Sequence, residues 1–525
     1  MKILGFHAQD DLIACSDGTC TRDNYTNFLL RPRQDCILVC YNLDWFVALL
    51  VRLMGVPDEQ IKKFWTTSKL FYQGHSAFFV PHRYFSLKYG KHFGEASFSD
   101  IYQYDNTLPF DVDPLDAAKT AAEIGQRVYD VLARLNLRPT SLSSPIAAYQ
   151  KEILSTLDLP TYHDMPSEVS VYAHRCQHGG WQEAYKIGHF QAWDYDITSA
   201  FTFHTANLID TRRGKWEKGT GFYPPEVAPY GFCRGIAQVD SDFNSCIYTH
   251  GNADCTPTGE RPDFKTNAAI QNMRDSKEGE FIVKDGWYWL PEKIEYPLQA
   301  HIERLFEWKQ YLKGFEREII KRLLVGLTGK LSETFKSETQ PFGRLANFAW
   351  YSWVQDQTKL QVADLVRSNH AEDALLSIEV DGCKFSRELP IKLSGNMGDW
   401  RLNMSAPTFV ISSGVGCIKG KELRGTFSLD YDWLQGQITA NPEAPEYTMQ
   451  KSTPITIGYA IKFKKLDRLG QLEKTERSIM LNDTKRLWPE LPRRGADLLN
   501  QYDSIALDMS MLQAQSFTER DTDAA

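Results

Sequence analysis

No stretch of this chain approaches the roughly 20 consecutive apolar residues of a membrane-spanning helix, so neither a helical span nor a membrane partner is expected. Cysteine is scarce, with 10 in 525 residues, too few for a disulfide scaffold. Cys15, Cys20, Cys36 and Cys40 have the short paired spacings that zinc sites use. However, Cys36 and Cys40 flank the apolar run Ile37-Leu38-Val39, which favours core cysteines over metal ligands. A basic excess is missing too. The net charge is −8, so contact with a polyanion would have to come from local clusters of charge. The chain has no repeat and no low-complexity tract. Its start, Met1-Lys2-Ile3-Leu4-Gly5-Phe6, reads as a strand and not as a signal peptide, which predicts a cytoplasmic protein.

The apolar fraction of 42%, with 13% aromatics, is that of a globular chain, and the length suggests two to four subdomains. Residues 1–165 form a first unit, with strands at Ile3–Phe6 and Cys36–Cys40 and helices from Trp45 to Met54 and Leu115 to Leu135. The Pro-, Ser- and Thr-rich stretch from Arg138 to Met165 reads as a linker. Residues 166–300 read as strands and turns. From His301 to Leu331, Leu305, Trp308, Leu312, Phe315, Ile319 and Leu323 recur at helical spacing. Another helix is expected from Trp350 to Arg367, then a strand over 374–380 and a hairpin turn at Asp381-Gly382. Residues Lys451 to Arg494 hold eleven basic side chains against five acidic. Lys462, Lys464, Lys465, Arg468, Lys485, Arg486, Arg493 and Arg494 alternate there with Tyr459, Phe463 and Trp488, a composition suited to a phosphate backbone. The last twenty or so residues are polar and read as frayed.

Two acidic pairs stand far apart in the chain, Asp194 with Asp196 and Glu379 with Asp381. A spacing of two residues on a strand turns both carboxylates of a pair to one face. Magnesium takes hard oxygen ligands, commonly one or two carboxylates plus phosphate oxygens and water. Two such ions activate an attacking hydroxyl and stabilise a leaving pyrophosphate. Between the pairs lie Lys309 and Lys321, compact cations suited to a triphosphate. On one straight helix they would sit about 18 Å apart. A break near Gly314, folding the run into an antiparallel helix pair, would let them converge.

With these residues in view, the chain resembles the family B DNA polymerases, the compact type encoded by viruses and linear plasmids. The family's D-x-x-S-L-Y-P-S motif is matched by Asp196-Ile197-Thr198-Ser199-Ala200-Phe201-Thr202-Phe203 at Asp and Ser. K-x-x-x-N-S-x-Y-G falls on Lys321 through Gly329, and Y-x-D-T-D-S on Glu379-Val380-Asp381-Gly382. Gln177-His178-Gly179-Gly180-Trp181 resembles the Y-x-G-G element, and Asn347-Phe348-Ala349-Trp350 opens a helix where the family has one.

The resemblance implies an α+β multidomain fold, a right-hand polymerase of palm, fingers and thumb preceded by a ribonuclease-H-like exonuclease-type domain. The implied boundaries are 1–165 for that domain, 166–300 and 336–425 for the palm, 301–335 for a helical pair of fingers and 426–525 for a basic, thumb-like region and tail. It implies Asp196 and Asp381 as ligands of two Mg2+ ions, with Mn2+ as a substitute, and Glu379 assisting catalysis. Lys321, Lys309, Phe201, Ser199 and Ile197 would bind the nucleotide, and Gly179, Gly180, Lys330, Lys462 and Lys464 the DNA. The partners would be primer–template DNA and deoxynucleoside triphosphates, with accessory or terminal proteins left open.

The departures are specific. Val325 and Thr328 replace the second motif's Asn and Tyr, Glu379 replaces an Asp, and Phe201 replaces a Tyr while keeping a ring to screen a ribose 2′-hydroxyl. The primer-gripping Lys of the later K-x-Y element has no counterpart near Pro407-Thr408-Phe409. His7-Ala8-Gln9 stands where the exonuclease has D-x-E. The second exonuclease motif keeps Asn42 but ends on Phe46, with Asp44 nearby, and Glu123 is the best third acid. This predicts a first domain inert in proofreading and kept for binding single strands. The short distance from Gly329 to Glu379 leaves little room for the insertion linked to strand displacement. The alternatives are a catalytically weakened, polymerase-fold nucleic-acid-binding protein and a transferase that makes primers or adds nucleotides without a template.

Overall fold

The computed structural model describes residues 1–512 apart from 24, 31–35, 54–56, 68, 73–74, 81–83, 90–94, 102–107, 110, 140–141, 143–144, 153, 251–252, 336–341, 421–428, 470 and 482. The tail from 513, read above as frayed, lies outside the described residues. The chain divides into two compact units. The first comprises Met1–Asp158, Glu307–Leu323 and Met449–Arg477. The second comprises Leu159–Phe306, Leu324–Thr448 and the chain from Ser478 onward. No described helix is long and apolar enough to cross a membrane.

In the first unit, strands β1 (Lys2–Gln9), β2 (Leu12–Cys15) and β3 (Cys20–Thr21) precede helix α1 (Tyr25–Leu30), β4 (Cys36–Cys40), α2 (Leu43–Leu53) and α3 (Asp58–Thr67). Then come β5 (Lys69–Tyr72), β6 (His75–Val80), β7 (Tyr84–Tyr89), β8 (Glu95–Asp100), α4 (Pro114–Arg134) and α5 (Pro145–Glu152). The sheet order is β3-β2-β1-β4-β8-β7-β6-β5. The joins of β4 to β1 and to β8 are parallel, and the rest are antiparallel. Cys-Ile-Leu-Val-Cys of β4 is the near-continuous apolar run that a strand covered on both faces needs. Asp113 caps α4 by accepting from the Leu115 and Asp116 amides, and Pro114 opens the helix without a wasted donor. Small residues let α4 sit down on β1: a Cβ at Gly5 would come within 1.8 Å of the Ala118 carbonyl oxygen.

The core centres on Phe6, Phe46 and Phe98. The same core includes Ile455, Ile457, Ala460, Leu466 and Leu469. Part of the basic stretch assigned to a separate 426–525 region is therefore built into the first unit, because its apolar positions fill that core. Cys15 and Cys40 are buried, Cys36 is half-buried and Cys20 is exposed. The core-cysteine reading thus holds for two of the four. The stretch read as a linker also contains helix. Pro145 starts α5, and a Thr161–Asp164 capping box fixes a turn of 3-10 helix, so proline and threonine act here as helix-start signals.

The second unit begins with α6 (Ser167–Arg175), β9 (Gln182–Ala184), β10 (Lys186–Ile197) and α7 (Ala200–Ala206). There follow β11 (Gly214–Gly219), β12 (Tyr230–Val239), β13 (Tyr248–His250), β14 (Ala253–Cys255), β15 (Gly259–Thr266), α8 (Asn267–Asp275) and β16 (Gly279–Pro291). Helices α9 (Gln299–Tyr311) and α10 (Gly314–Lys330) lead to α11 (Phe348–Ser368), β17 (Leu375–Glu379), β18 (Gly382–Phe385), β19 (Trp400–Ser412), β20 (Val415–Ile418) and α12 (Tyr431–Ala440). The predicted helix break is present, with Gly314 in the left-handed region at φ 54°. Asn347 caps α11 by accepting from the Trp350 amide.

The main sheet runs β20-β19-β10-β18-β17-β9, with Gln501–Asp503 added on β10. Under it lies a core of Tyr195, Val362, Val366, Ile378 and Phe385. A second sheet, β11-β16-β12-β15, has its own core of Cys233, Val239, Ile270, Met273 and Phe281. The span 166–300, read as strands and turns, therefore contributes strands to both of these sheets and to the short β13-β14 pair.

Candidate metal and nucleotide site

The acids meet at the end of β10. Asp196 lies opposite Gly382 of β18, and the Ile197 amide donates to the Asp381 carbonyl at 2.9 Å. The hairpin turn between β17 and β18 differs from its predicted position by one residue. Glu379 pairs with Gly382, so Val380 and Asp381 form the turn. Gly382 is needed on the strand, since a Cβ there would lie 2.9 Å from the Tyr195 carbonyl oxygen. The positive φ, 66°, falls on Val380. The Asp381 amide donates to the Glu379 carbonyl at 2.9 Å, closing a γ-turn in the strained, left-handed form. A β-branched residue with positive φ is a costly conformation that surrounding contacts must enforce. They do: the Val380 amide donates to the Trp181 carbonyl at 2.7 Å, and Gly180 admits the Val380 side chain where a Cβ would stand 2.7 Å from it. Gly179 likewise donates its amide to Asp254 at 2.8 Å. Of the two glycines predicted to touch DNA, Gly180 makes room for the acidic turn and Gly179 is tied to Asp254.

Asp381 has a raised pKa of about 6, first because it is buried and second because Asp196 stands beside it. A half-buried like-charge pair of this kind is stabilised by a cation. Among the described residues no three His, Cys, Asp or Glu side chains form a ready-made cage. Two carboxylates completed by phosphate oxygens and water are a donor set that magnesium accepts, so Asp196 and Asp381 fit the expected ion.

The remaining acids have partners. Glu379 is ion-paired with the buried Lys384, which sits opposite Asp194 across the β10–β18 pair. Asp194 is buried and accepts from the Asn403 amide at 3.3 Å. A bulge in β19, where Asn403 is the extra residue between Met404 and Leu402, shifts the β10–β19 register at Asp194 and Tyr195, while β10 pairs with β18 in unbroken register through both acids. Arg401 of β19 is opposite Asp196 and donates from Nε at 3.1 Å and from Nη2 to the same carboxylate oxygen. Lys384, Asn403 and Arg401 were missed in the sequence. The partners of Asn403 and Arg401 lie 209 and 205 positions away, beyond any spacing rule, whereas Lys384 meets Glu379 across the short hairpin.

Ser199, with φ 57°, turns the chain after β10 into α7, which carries the half-buried Phe201. Thr328 of α10 is buried and shares a hydrogen bond of 2.8 Å with Thr205 of α7. Val325 is 57% exposed, an apolar side chain facing out where the motif has an amide. Lys330 is ion-paired with Glu333. In the first unit, Lys321 is 3.4 Å from Glu318 one turn back on its own helix, and Lys309 is half-buried. The neighbouring helical segment is tied to α4, with Arg127 over the Phe315 ring at 4.6 Å and Arg134 at 3.4 Å from Glu316.

Lys462 and Lys464 of the first unit are exposed on either side of Phe463. The rest of the basic stretch is largely committed to internal partners. Lys465 and Arg468 both pair with Glu473, and Arg494 with Glu443. Arg486 is buried against Glu183 and Asp242. Among the described residues, these four cations are therefore taken up by ion pairs within the protein.

In the first unit, His7 is the residue that the motif comparison set against the exonuclease's first acid. It is 1% exposed, with the rings of Tyr41 and Trp45 at 5.5 and 5.3 Å. Burial pushes its pKa down to about 4, so it is neutral at physiological pH. Neither of its ring nitrogens, nor Gln9 Oε1, meets a hydrogen-bonding partner among the described residues. Asn42 caps α2 by accepting from the Trp45 amide, Phe46 is core, and Glu123 is exposed on α4, outside the buried face where a third acid would be needed.

No protein-family model matches the chain, and no curated protein matches it in sequence. Solved structures do. Phi29 DNA polymerase complexed with primer-template DNA is 11% identical, with a TM-score of 0.63, covering 91% of this chain and 100% of that one. The same enzyme complexed with primer-template DNA and incoming nucleotide substrates is 10% identical, with a TM-score of 0.64, covering 91% and 99%. The resemblance drawn from the motifs therefore holds at the level of fold: over nine-tenths of its length, this chain is folded like the phage phi29 DNA polymerase.

Proposed function

We propose that the chain is a template-directed DNA polymerase that joins deoxynucleotides to a primer 3′-hydroxyl at the Asp196–Asp381 pair. The carrying observation is the meeting of these two acids. The β10–β18 register and the Ile197–Asp381 hydrogen bond bring them together, and the pKa of Asp381 is raised first by its burial and then by the Asp196 charge beside it. In this reading Asp196 and Asp381 hold two Mg2+ ions, which supply charge neutralisation and Lewis acidity when bound. Phe201 screens the sugar, and Ser199 and Ile197 fix the chain around the nucleotide. Lys321 and Lys309 are the cations for the triphosphate, and Lys462 and Lys464 contact the DNA backbone. Glu379 acts indirectly, setting the turn through its pairing with Lys384. The seven-stranded sheet corresponds to a palm and the parallel-centred sheet of the first unit to a ribonuclease-H-like domain. With His7 neutral and buried, that domain does not proofread.

The second reading, a polymerase fold that binds nucleic acid without copying it, draws on Val325 and on the Arg401–Asp196 ion pair. Extension of a primed template in Mg2+ separates the two. Templated products that disappear in Asp196→Ala support copying. Binding of primer–template without extension by the unaltered chain supports the second reading. Extension undiminished in Asp381→Asn would remove the metal assignment.

A further inference from the structure

Arg401 holds the carboxylate that the proposed ions need. It lies directly across the β10–β19 pair from Asp196, and both its Nε and its Nη2 donate to Asp196 Oδ2. The other acids around the turn are engaged elsewhere, Glu379 by Lys384 and Asp194 by Asn403. Asp381 itself feels the Arg401 charge, which opposes the rise in its pKa. Both donors of the guanidinium fall on Oδ2, so a metal ion that takes this oxygen displaces the fork, and one that takes Oδ1 meets a carboxylate whose charge Arg401 already offsets.

The pair is also built to open. The Arg401 side chain is 46% exposed, and an ion pair that reaches solvent is held only weakly. Once released, the guanidinium remains on β19 beside the acids, where the best alternative acceptor for its planar fork is a phosphate.

We propose that Arg401 is a counter-ion that yields Asp196 to a divalent cation when a nucleic-acid phosphate takes its guanidinium, coupling DNA binding to metal binding. This rests on the reading of Asp196 and Asp381 as the metal site. Coupling of this kind is reciprocal, so primer–template must tighten Mn2+ and Mn2+ must tighten primer–template by the same factor.

The test is electron paramagnetic resonance titration of Mn2+ into the full-length chain, alone and with a primer–template ending in a dideoxynucleotide, after subtraction of binding to DNA alone. We expect primer–template to raise the Mn2+ affinity of the unaltered chain by about fivefold or more. Arg401→Gln should bind Mn2+ about as tightly without DNA as the unaltered chain does with it, and DNA should then add little. Arg401→Lys, which keeps the charge without the fork, should fall between them and shows that the strand pair tolerates substitution. Unchanged or weaker Mn2+ binding in Arg401→Gln, or DNA coupling of undiminished size, would overturn the proposal. Asp196→Asn serves as the separate control: if it retains every Mn2+ site, the metal assignment fails, whatever Arg401 does.

Discussion

Two strands in this chain present a pair of side chains two residues apart near the strand end, and they have met opposite fates. On β10, Asp194 and Asp196 are kept as acids, close to Asp381 and beside a Val380 held in a left-handed turn. On β1 the pair two residues apart is His7, neutral and buried beside the Tyr41 and Trp45 rings, and the half-buried Gln9. Charge crowding and a β-branched residue at positive φ mark the first pair, whereas the positive φ after the second falls on Asp10, a residue type that tolerates it. Strain of that kind persists where something is gained from it, so the second unit is where chemistry is to be sought.

Loss of an acid breaks this contrast most sharply. Asp196→Ala should reduce templated extension by about a thousandfold, on the scale of removing a group that stabilises developing charge. His7→Gln should leave extension unchanged. A primed-template assay on both variants checks the pair. Equal losses would mean that both units serve the same chemistry.

Stability sharpens the contrast by sign. His7→Asp would bury an unpaired carboxylate near Asp113 in a site 1% exposed, at a cost of about 3–5 kcal/mol. Urea unfolding followed by the fluorescence of the neighbouring Trp45 measures it. Asp381→Asn should do the reverse. The carboxyl's pKa rises from 3.8 to about 6 on folding, so the folded state binds the proton more tightly and stability falls as pH climbs between those values. Removing the charge should stabilise the second unit by on the order of 2 kcal/mol at pH 7.5 and by little at pH 4. His7 slopes the other way. Its pKa falls from 6.5 to about 4, so its stabilising contribution is complete above pH 6.5 and is lost as pH drops toward 4. Parallel pH slopes in the two units would sink the comparison.

What the sequence disclosed follows from the range of each interaction. The break at Gly314 and the strands at Ile3 and Cys36 depend on neighbours within a few residues, and they were legible. The Arg401–Asp196 pair joins positions 205 apart, and only the strand register reveals it. The same is true of Ile457, whose place in the core with Phe6 and Phe46 no local pattern announces. Val380 misled for another reason. Asp381-Gly382 has the better turn chemistry, but the glycine was required beside the Tyr195 carbonyl, and tertiary packing overrode local preference.

The smallest effect concerns which cations meet nucleic acid. Lys462 and Lys464 reach solvent beside Phe463, which is 47% exposed and stacked near Tyr459 at 4.4 Å. Arg486 belongs to the same basic stretch but is buried against Glu183 and Asp242. Replacing both lysines by alanine should weaken binding of single-stranded DNA and lower the slope of log affinity against log salt by about 1.4, the release of two counterions, without moving the unfolding midpoint. Arg486→Ala should leave the salt slope alone and destabilise the second unit by about 3 kcal/mol, because two carboxylates lose the charge that holds them. Filter binding across a salt series, with urea unfolding in parallel, separates a cation that touches DNA from one that holds the protein together. A lysine pair that moves the unfolding midpoint and not the slope would place Lys462 and Lys464 on the structural side of that division.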